Sequence, residues 1–555
     1  MSQHPDAWSA PITPDGTKER NPWLVLMVLC TAIFMLLLDT TIVNVAQRKI
    51  QVDLGANLTQ IQWVLDSYIL TYAVFLLSFG RMGDVLGRKK LFVFGMGIFT
   101  AASGLCAASS LIGDALGVSG VTVLIAARVI QGLGGAFMMP QTLSLISVAF
   151  PPEKRGAAMG IWGGVVALGA VLGPIVGGLI VTDFAWEWVF LINLPIGIAA
   201  ILATLAIVPE SVDSLASRRL DWGGLALSGT GIFAVVYAMI EGPKLGWTSP
   251  ATIGLTVAGL LLLAAFVWWE RRAGDPMMKI ELFAIRNFWA GNLISLAVAF
   301  GMLGIFFPMT LFLQGALGFT PIRAGLTMVP MSLMIMVGAP IAGRLTDRIG
   351  ARWILVTGLT LMTGGVLFII TRISLETDWQ RLLPALLITG TGMGLTFAPM
   401  TAAVMADVPP RIAGSASGIL NTMRNIGQVL GIAVLGSVLS SQVGSSADDR
   451  LATAGISPET RERVVGLATE SRFEEIGPAV GAAEAARLPE IFREVQLAFV
   501  DSLQTTFLVG AIACAVALAI AFLIRNPAPR TAPAPAPAQS ARPARTATGD
   551  SVTAD

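Results

Sequence analysis

Fourteen apolar stretches of about 20 residues run through the chain, and they decide what it can fold into. They lie near 23–46, 61–80, 90–110, 121–143, 156–181, 187–208, 222–240, 251–269, 288–313, 325–343, 353–371, 382–405, 414–440 and 499–524. A helix rises 1.5 Å per residue, so about 20 apolar residues cross the roughly 30 Å hydrocarbon core of a bilayer. Only 13% of the 555 residues are charged and mean hydropathy is +0.74, whereas soluble domains carry about 25% charged residues. One buried core cannot absorb that deficit. The expected fold is an all-α integral membrane protein.

Lysine and arginine favour cytoplasmic loops and orient such spans. With both termini inside, the inner segments hold 22 of these residues. The short outer loops hold six: Arg48, Lys49, Lys244, Arg323, Arg372 and Arg381. Tryptophans such as Trp23, Trp63, Trp186 and Trp247 sit near span ends, as interfacial anchors do. The polar N-terminus has no apolar core and does not read as a cleavable signal.

The chain also repeats itself. "GRMGDVLGRKKL" at 80–91 matches "GRLTDRIGARWI" at 343–354, and Gly156, Gly160 and Gly169 match Gly414, Gly418 and Gly427. Two six-span halves with two added spans follow, which is the organisation of repeat-built transporters. The expected units are a tail at 1–22, an N-terminal bundle at 23–208, two extra helices with linkers at 209–287, and a C-terminal bundle at 288–525. An outer loop at 441–498 with helical periodicity interrupts the second bundle, and a disordered alanine- and proline-rich tail fills 526–555.

Charges inside spans carry the chemistry, because each costs at least ~2.5–3.5 kcal/mol at the bilayer centre. Asp39, Asp66 and Arg128 fall at similar depth in the first half. They read as a proton-coupling site or as a fixed ion pair; Asp66, nearer water, is a coupling group or a substrate contact. Desolvation favours the neutral acid at Asp39 and Arg128 favours the carboxylate, so a change of access would load and release a proton. Arg424 is the charge in the core of the second half, and it is read as binding an anionic group, facing Asp39 or serving structure. Phe34, Tyr68, Tyr72, Met138 and Phe397 are candidate cavity residues, as aromatic and methionine side chains suit an adaptable pocket. Gly169, Gly173, Gly177 and Gly178 with Pro174 suit a kinked, tight helix contact between halves.

The remaining signals exclude other classes. The cysteines Cys30, Cys106 and Cys514 lie in apolar runs and His4 is the single histidine, so no metal cluster or histidine relay is expected. No GxxxxGK[ST] loop for nucleoside triphosphate is present. A net charge of +1 gives no case for nucleic acid.

These motifs resemble the major facilitator superfamily, specifically its fourteen-span drug:proton antiporter branch of EmrB/QacA type. The resemblance rests on "LDTTIVNVA" at 38–46, the 80–91 loop, Arg128 with Gln131, Gly132, Gly134 and Gly135, "GAVLGPIVGG" at 169–178, and "WVFLINLPIG" at 188–197. It implies proton-driven export of small amphipathic compounds by a monomer in a bacterial cell membrane, with Asp39 as coupling acid and the proton gradient in place of a cofactor. An exporter of one cellular product is the alternative. It also implies a conformational latch at Gly80, Asp84, Gly87 and Arg88, meeting span 13 near Gly414. The segment "NVAQRKI" departs from the branch by placing Arg48 and Lys49 at the outer mouth, and Glu187 stands where arginine is usual.

Overall fold

A computed structural model describes residues 21–526 apart from 151, 213–220, 275, 277, 409–412 and 482–483. Within helices a few side chains, Asp84 among them, lie outside the described residues, as do most of the two predicted tails.

The first half comprises α1 (Pro22–Asp53), α2 (Leu58–Leu86), α3 (Arg88–Ala107), α4 (Gly120–Ala149), α5 (Pro152–Asp183) and α6 (Trp188–Ile207). Two added helices follow, α7 (Trp222–Leu245) and α8 (Pro250–Glu270). The second half comprises α9 (Arg286–Leu311), α10 (Pro321–Ile349), α11 (Ala351–Arg372), α12 (Trp379–Met405), α13 (Ala413–Thr453) and α14 (Leu488–Ala521). Local signals start several of them. Asn57 and Gln60 form a reciprocal capping box on α2, and a capping residue precedes proline at α1, α8 and α10. Twelve of these helices are long and apolar enough to span a membrane. The other two, α2 and α5, are 29 and 32 residues long and occupy the predicted second and fifth stretches.

The halves reuse two packing devices. A Cβ on Gly95 or on Gly134 would lie 2.8 Å from the other's carbonyl oxygen, so α3 and α4 touch backbone to backbone. Gly358 and Gly392 join α11 to α12 in the same way, at 3.0 and 2.7 Å. The turns before α3 and α11 place Gly87 at φ +114° and Gly350 at φ +85°, where a side chain is strained. Each following helix is capped by the chain that leaves its own half. Glu210 accepts from the Lys89 amide and Asn526 from the Arg352 amide, both at 3.0 Å. Asn526 therefore belongs to the fold and not to a free tail.

Hydropathy misjudges the long loop. α13 runs on to Thr453 and α14 begins at Leu488, so both helices extend well into 441–498. Val443, Ala447 and Leu451 bury one face of the extension, Ile491 and Val495 are buried on α14, and the two helices pack together. Four-residue spacing, not mean hydropathy, carries the helix onward. Arg450 pairs with Glu494 and Asp501, and the helix Pro458–Thr469 caps the hairpin with Arg461 on Asp448.

Where the halves meet, α2 lies against α13 and α5 against α10. Helix α7 covers the α2–α13 seam. Trp63 donates to Glu241 at 3.1 Å on one side, and Ser437 donates to the Met239 carbonyl on the other.

Candidate functional site

The α3–α4 glycine contact positions the polar centre. Gly132 presents no side chain to α2, where a Cβ would lie 2.5 Å from the Tyr68 carbonyl oxygen. This close packing brings Arg128 and Gln131, one turn apart on α4, into the bundle interior beside α1.

Asp39 is fully buried and accepts three hydrogen bonds. Arg128 Nη1 donates at 2.6 Å, Gln131 Nε2 at 2.9 Å and Asn193 Nδ2 of α6 at 2.9 Å. Around this first layer, Arg128 also donates to Gln131 Oε1 at 2.6 Å and to the Val64 carbonyl at 3.1 Å. Ser103 of α3 accepts from Gln131 at 2.9 Å and from Asn193 at 3.3 Å. The Tyr68 ring lies 4.2 Å from the guanidinium carbon and adds a cation–π contact. Five helices thus converge on one ion pair whose two members are each at most 1% exposed. Removing one member of such a pair costs about 3–5 kcal/mol, because the other is left buried and uncompensated.

Asp66 lies close by in sequence but outside this network. It is fully buried, and both carboxyl oxygens lack a partner among the described residues. A charge there has nothing to offset its desolvation. The two predicted acids share a depth and differ in surroundings.

Arg424 does not face Asp39. It donates to Asn421 at 2.7 Å and lies within electrostatic reach of Tyr72, which stacks on Tyr68 at 6.4 Å. Two tyrosines one turn apart therefore lead from Arg128 in the first half to Arg424 in the second. Met138 is core, packed against Gly95 of α3, while Phe34 and Phe397 are half-buried. A cavity between the halves is lined instead by Thr41, Asn44, Pro174, Phe306, Met328 and Ser332.

The α5 glycines divide their work. Gly169, Gly173 and Gly177 pack on Leu37, Thr41 and Ile42 of α1, inside their own half. Only Gly178 meets α10 across the interface, at Ile322, beside the Pro174 carbonyl that abuts Gly325. A four-residue ladder fixes one helix face, and that face is turned to α1. Gly80 packs on Pro140 of α4. Gly87 packs on Glu210, and Arg88 donates to Ser211 at 3.1 Å, both in the segment that leaves the first half. Asp84 and the start of α13 at Gly414 lie outside the described side chains.

A set of glutamines that sequence reasoning passed over joins the halves at the end carrying the 441–498 hairpin. Gln47 donates to the Phe307 carbonyl at 3.0 Å, Gln314 to Val45 at 2.9 Å and Gln62 to Ile432 at 3.2 Å. Arg48 and Gln51 reach the Ser471 and Glu470 carbonyls at 2.6 and 2.7 Å. Ser471 takes φ +58°, the one positive φ at a non-glycine among the described residues.

The sequence profile of the Major Facilitator Superfamily matches residues 28–432. The tetracenomycin C resistance and export protein of Streptomyces glaucescens is 32% identical over 520 residues, covering 93% of this chain and 94% of that protein. The multidrug resistance protein Stp of Mycobacterium tuberculosis is 36% identical over 453 residues, covering 81% and 82%. The probable actinorhodin transporter of Streptomyces coelicolor is 37% identical over 480 residues, covering 81% of each. Among solved structures, a bacterial homologue of the human lysosomal transporter Spinster, inward-facing and occupied, has TM-score 0.60 at 17% identity over 92% of this chain and 97% of that one. The chain belongs to the major facilitator superfamily: it is a multi-pass membrane transporter and not an enzyme.

Proposed function

We propose that this transporter is a proton-coupled antiporter exporting small amphipathic compounds, a monomer of the fourteen-span drug:proton branch in the bacterial cell membrane. Counting α2 and α5 as spans gives fourteen, and the 22-to-six lysine and arginine asymmetry supports cytoplasmic termini. The hairpin end is then extracytoplasmic. Its glutamine contacts close that side, which supports an inward-facing state.

The observation that carries the reading is the single Asp39 carboxylate bound by three donors from two helices, one of them Arg128. Protonating Asp39 frees Arg128, and rocking of the halves changes which side the acid meets. Asp66, buried without partners, is a second proton-binding group or a substrate contact. A proton entering across about 100 mV releases about 2.3 kcal/mol. At 1.36 kcal/mol per tenfold, each proton sustains a gradient of roughly fifty-fold.

The relatives named for resistance to, or export of, antibiotics support export over uptake. The names that specify a single compound favour a second reading, export of one cellular product. In proteoliposomes with an imposed pH gradient, Asp39→Asn abolishes coupled efflux; undiminished coupling would refute the assignment.

A further inference from the structure

Asn193 is bonded at one end of its amide only. Its Nδ2 donates to Asp39 Oδ1 at 2.9 Å and to Ser103 Oγ at 3.3 Å. The residue is fully buried, and its Oδ1 has no hydrogen-bond partner among the described residues. A buried polar atom in that condition is costly and calls for a reason. Local packing holds the residue in place. Asn193 follows a break in α6 at Ile192, and Gly197, one turn on, presents no side chain to Thr100, so α6 closes on α3 beside Ser103.

The other amide on Asp39 has no such spare end. Gln131 Oε1 accepts from Arg128 Nη1 at 2.6 Å, while its Nε2 donates to Asp39 Oδ1 and to Ser103 Oγ, both at 2.9 Å. Turned end for end, it would set an N–H against the guanidinium. The two Asp39 oxygens differ as well. Oδ2 faces Arg128 at 2.6 Å, so a proton there would meet another donor. Oδ1 meets the two amides. Tyr68 of α2 faces the guanidinium, and the Cys106 thiol of α3 lies 3.8 Å from Gln131 Oε1, so neither bonds Asp39 Oδ1. A proton on Oδ1 makes it a donor in need of an acceptor. Of the groups that bond Asp39, Asn193 alone has one to spare.

We infer that Asn193 fits the centre to both states of Asp39: its amide donates to the carboxylate with Nδ2 and, turned half round about its own Cβ–Cγ bond, accepts from the acid with Oδ1. The inference rests on the proton-coupling reading and says how the proton is housed. A proton from water forms an O–H bond at Asp39 Oδ1 and returns to water when that bond breaks. No backbone moves. Oδ2 then faces Arg128 as an uncharged carbonyl oxygen, so the guanidinium loses its counter-charge but keeps its place. Asn193 acts through Asp39 and is a positioning residue.

Solid-state NMR of the full chain in lipid bilayers reads the turn directly, with isotope-labelled asparagine and glutamine side-chain nitrogens and aspartate carboxyl carbons. The Asp39 Cγ signal reports its protonation, and each amide contact is assigned by its loss when that amide residue is replaced by alanine. As pH is lowered until Asp39 is the acid, the contact from Asn193 Nδ2 to Asp39 Cγ weakens and the contact from Gln131 Nε2 stays. In proteoliposomes, Asn193→Thr, whose hydroxyl donates and accepts, keeps about tenfold more gradient-driven efflux than Asn193→Val of the same shape, the worth of one hydrogen bond. Substrate exchange without a gradient is alike in the two. An Asn193 contact that persists in the acid, loss of both contacts together, or equal gradient-driven efflux in the two variants would each overturn the inference and leave Asp39 as coupling acid. An Asp39 that stays ionised while coupled efflux proceeds would overturn the coupling reading and this inference with it.

Discussion

The two halves share their scaffold and differ at their centres. Reciprocal glycines join α3 to α4 and α11 to α12, and an exit residue caps the helices that follow Gly87 and Gly350. Yet the first half closes around Asp39 and Arg128, while the second offers Arg424 bonded to a neutral asparagine on its own helix. Packing survives duplication because it depends on small residues at fixed spacing. Ionic chemistry has concentrated in one copy, leaving the other as a wall that moves against it.

The sharpest way to break this comparison is to delete the cation from each centre. Arg128→Met should cost about 3–5 kcal/mol of stability, because Asp39 stays buried without its counter-charge. Arg424→Met should cost less, about 1.5–3 kcal/mol, the worth of one hydrogen bond from a charged donor to a neutral acceptor. Denaturation of the two purified variants in detergent tests this, and equal losses would remove the distinction. The shared scaffold predicts the opposite outcome for glycine: Gly134→Ala and Gly392→Ala should each cost about 1–3 kcal/mol through overpacking, and by similar amounts. A large difference between them would mean that the halves are packed unequally after all.

The glutamine seam offers a subtler test. Gln47→Ala removes a buried donor to the second half, worth about 0.5–1.5 kcal/mol. The population open at the hairpin end should rise about two- to tenfold, read as spin-label distances across that end. No shift would place the closing energy elsewhere. The smallest effect belongs to the hairpin itself. The Thr460 hydroxyl, then the Ser457 amide and hydroxyl, hold the Glu484 carboxyl below its ordinary value, and Arg487 does the same for Glu490. Both depressed acids contribute stability that is present above the unfolded glutamate value, about 4.3, and lost as pH falls through the folded values. Hydrogen exchange in Pro458–Thr469 should therefore quicken below about pH 4.3, and Glu484→Gln should flatten part of that response.

Much of this architecture was readable from residues alone. Apolar length located the helices, and depth arithmetic paired Asp39 with Arg128. Asn193 and Ser103 escaped notice because an uncharged polar residue in an apolar helix is cheap when it bonds its own backbone, as Ser103 does to Phe99. Isolation cannot be read from spacing either. Asp66 and Asp39 look alike in the sequence, and only the neighbouring helices tell them apart. The α5 glycines showed a tight face but not which helix it meets, since several helices pack at similar distances. The glutamines at the seam donate to backbone carbonyls, which leave no signature in the partner's sequence.

Helix α13 is 41 residues long, so it spans about 60 Å, twice the thickness of the hydrocarbon it crosses. Stiffened along its outer part by α14, it behaves as a lever arm whose fulcrum lies in the membrane. With the turning point at Arg424, the arm to Thr453 is about 44 Å, and a rigid-body turn of about 15° sweeps its far end by roughly 11 Å. Small rearrangements beside Arg424 would thus be magnified into a wide swing of the cap far above the bilayer.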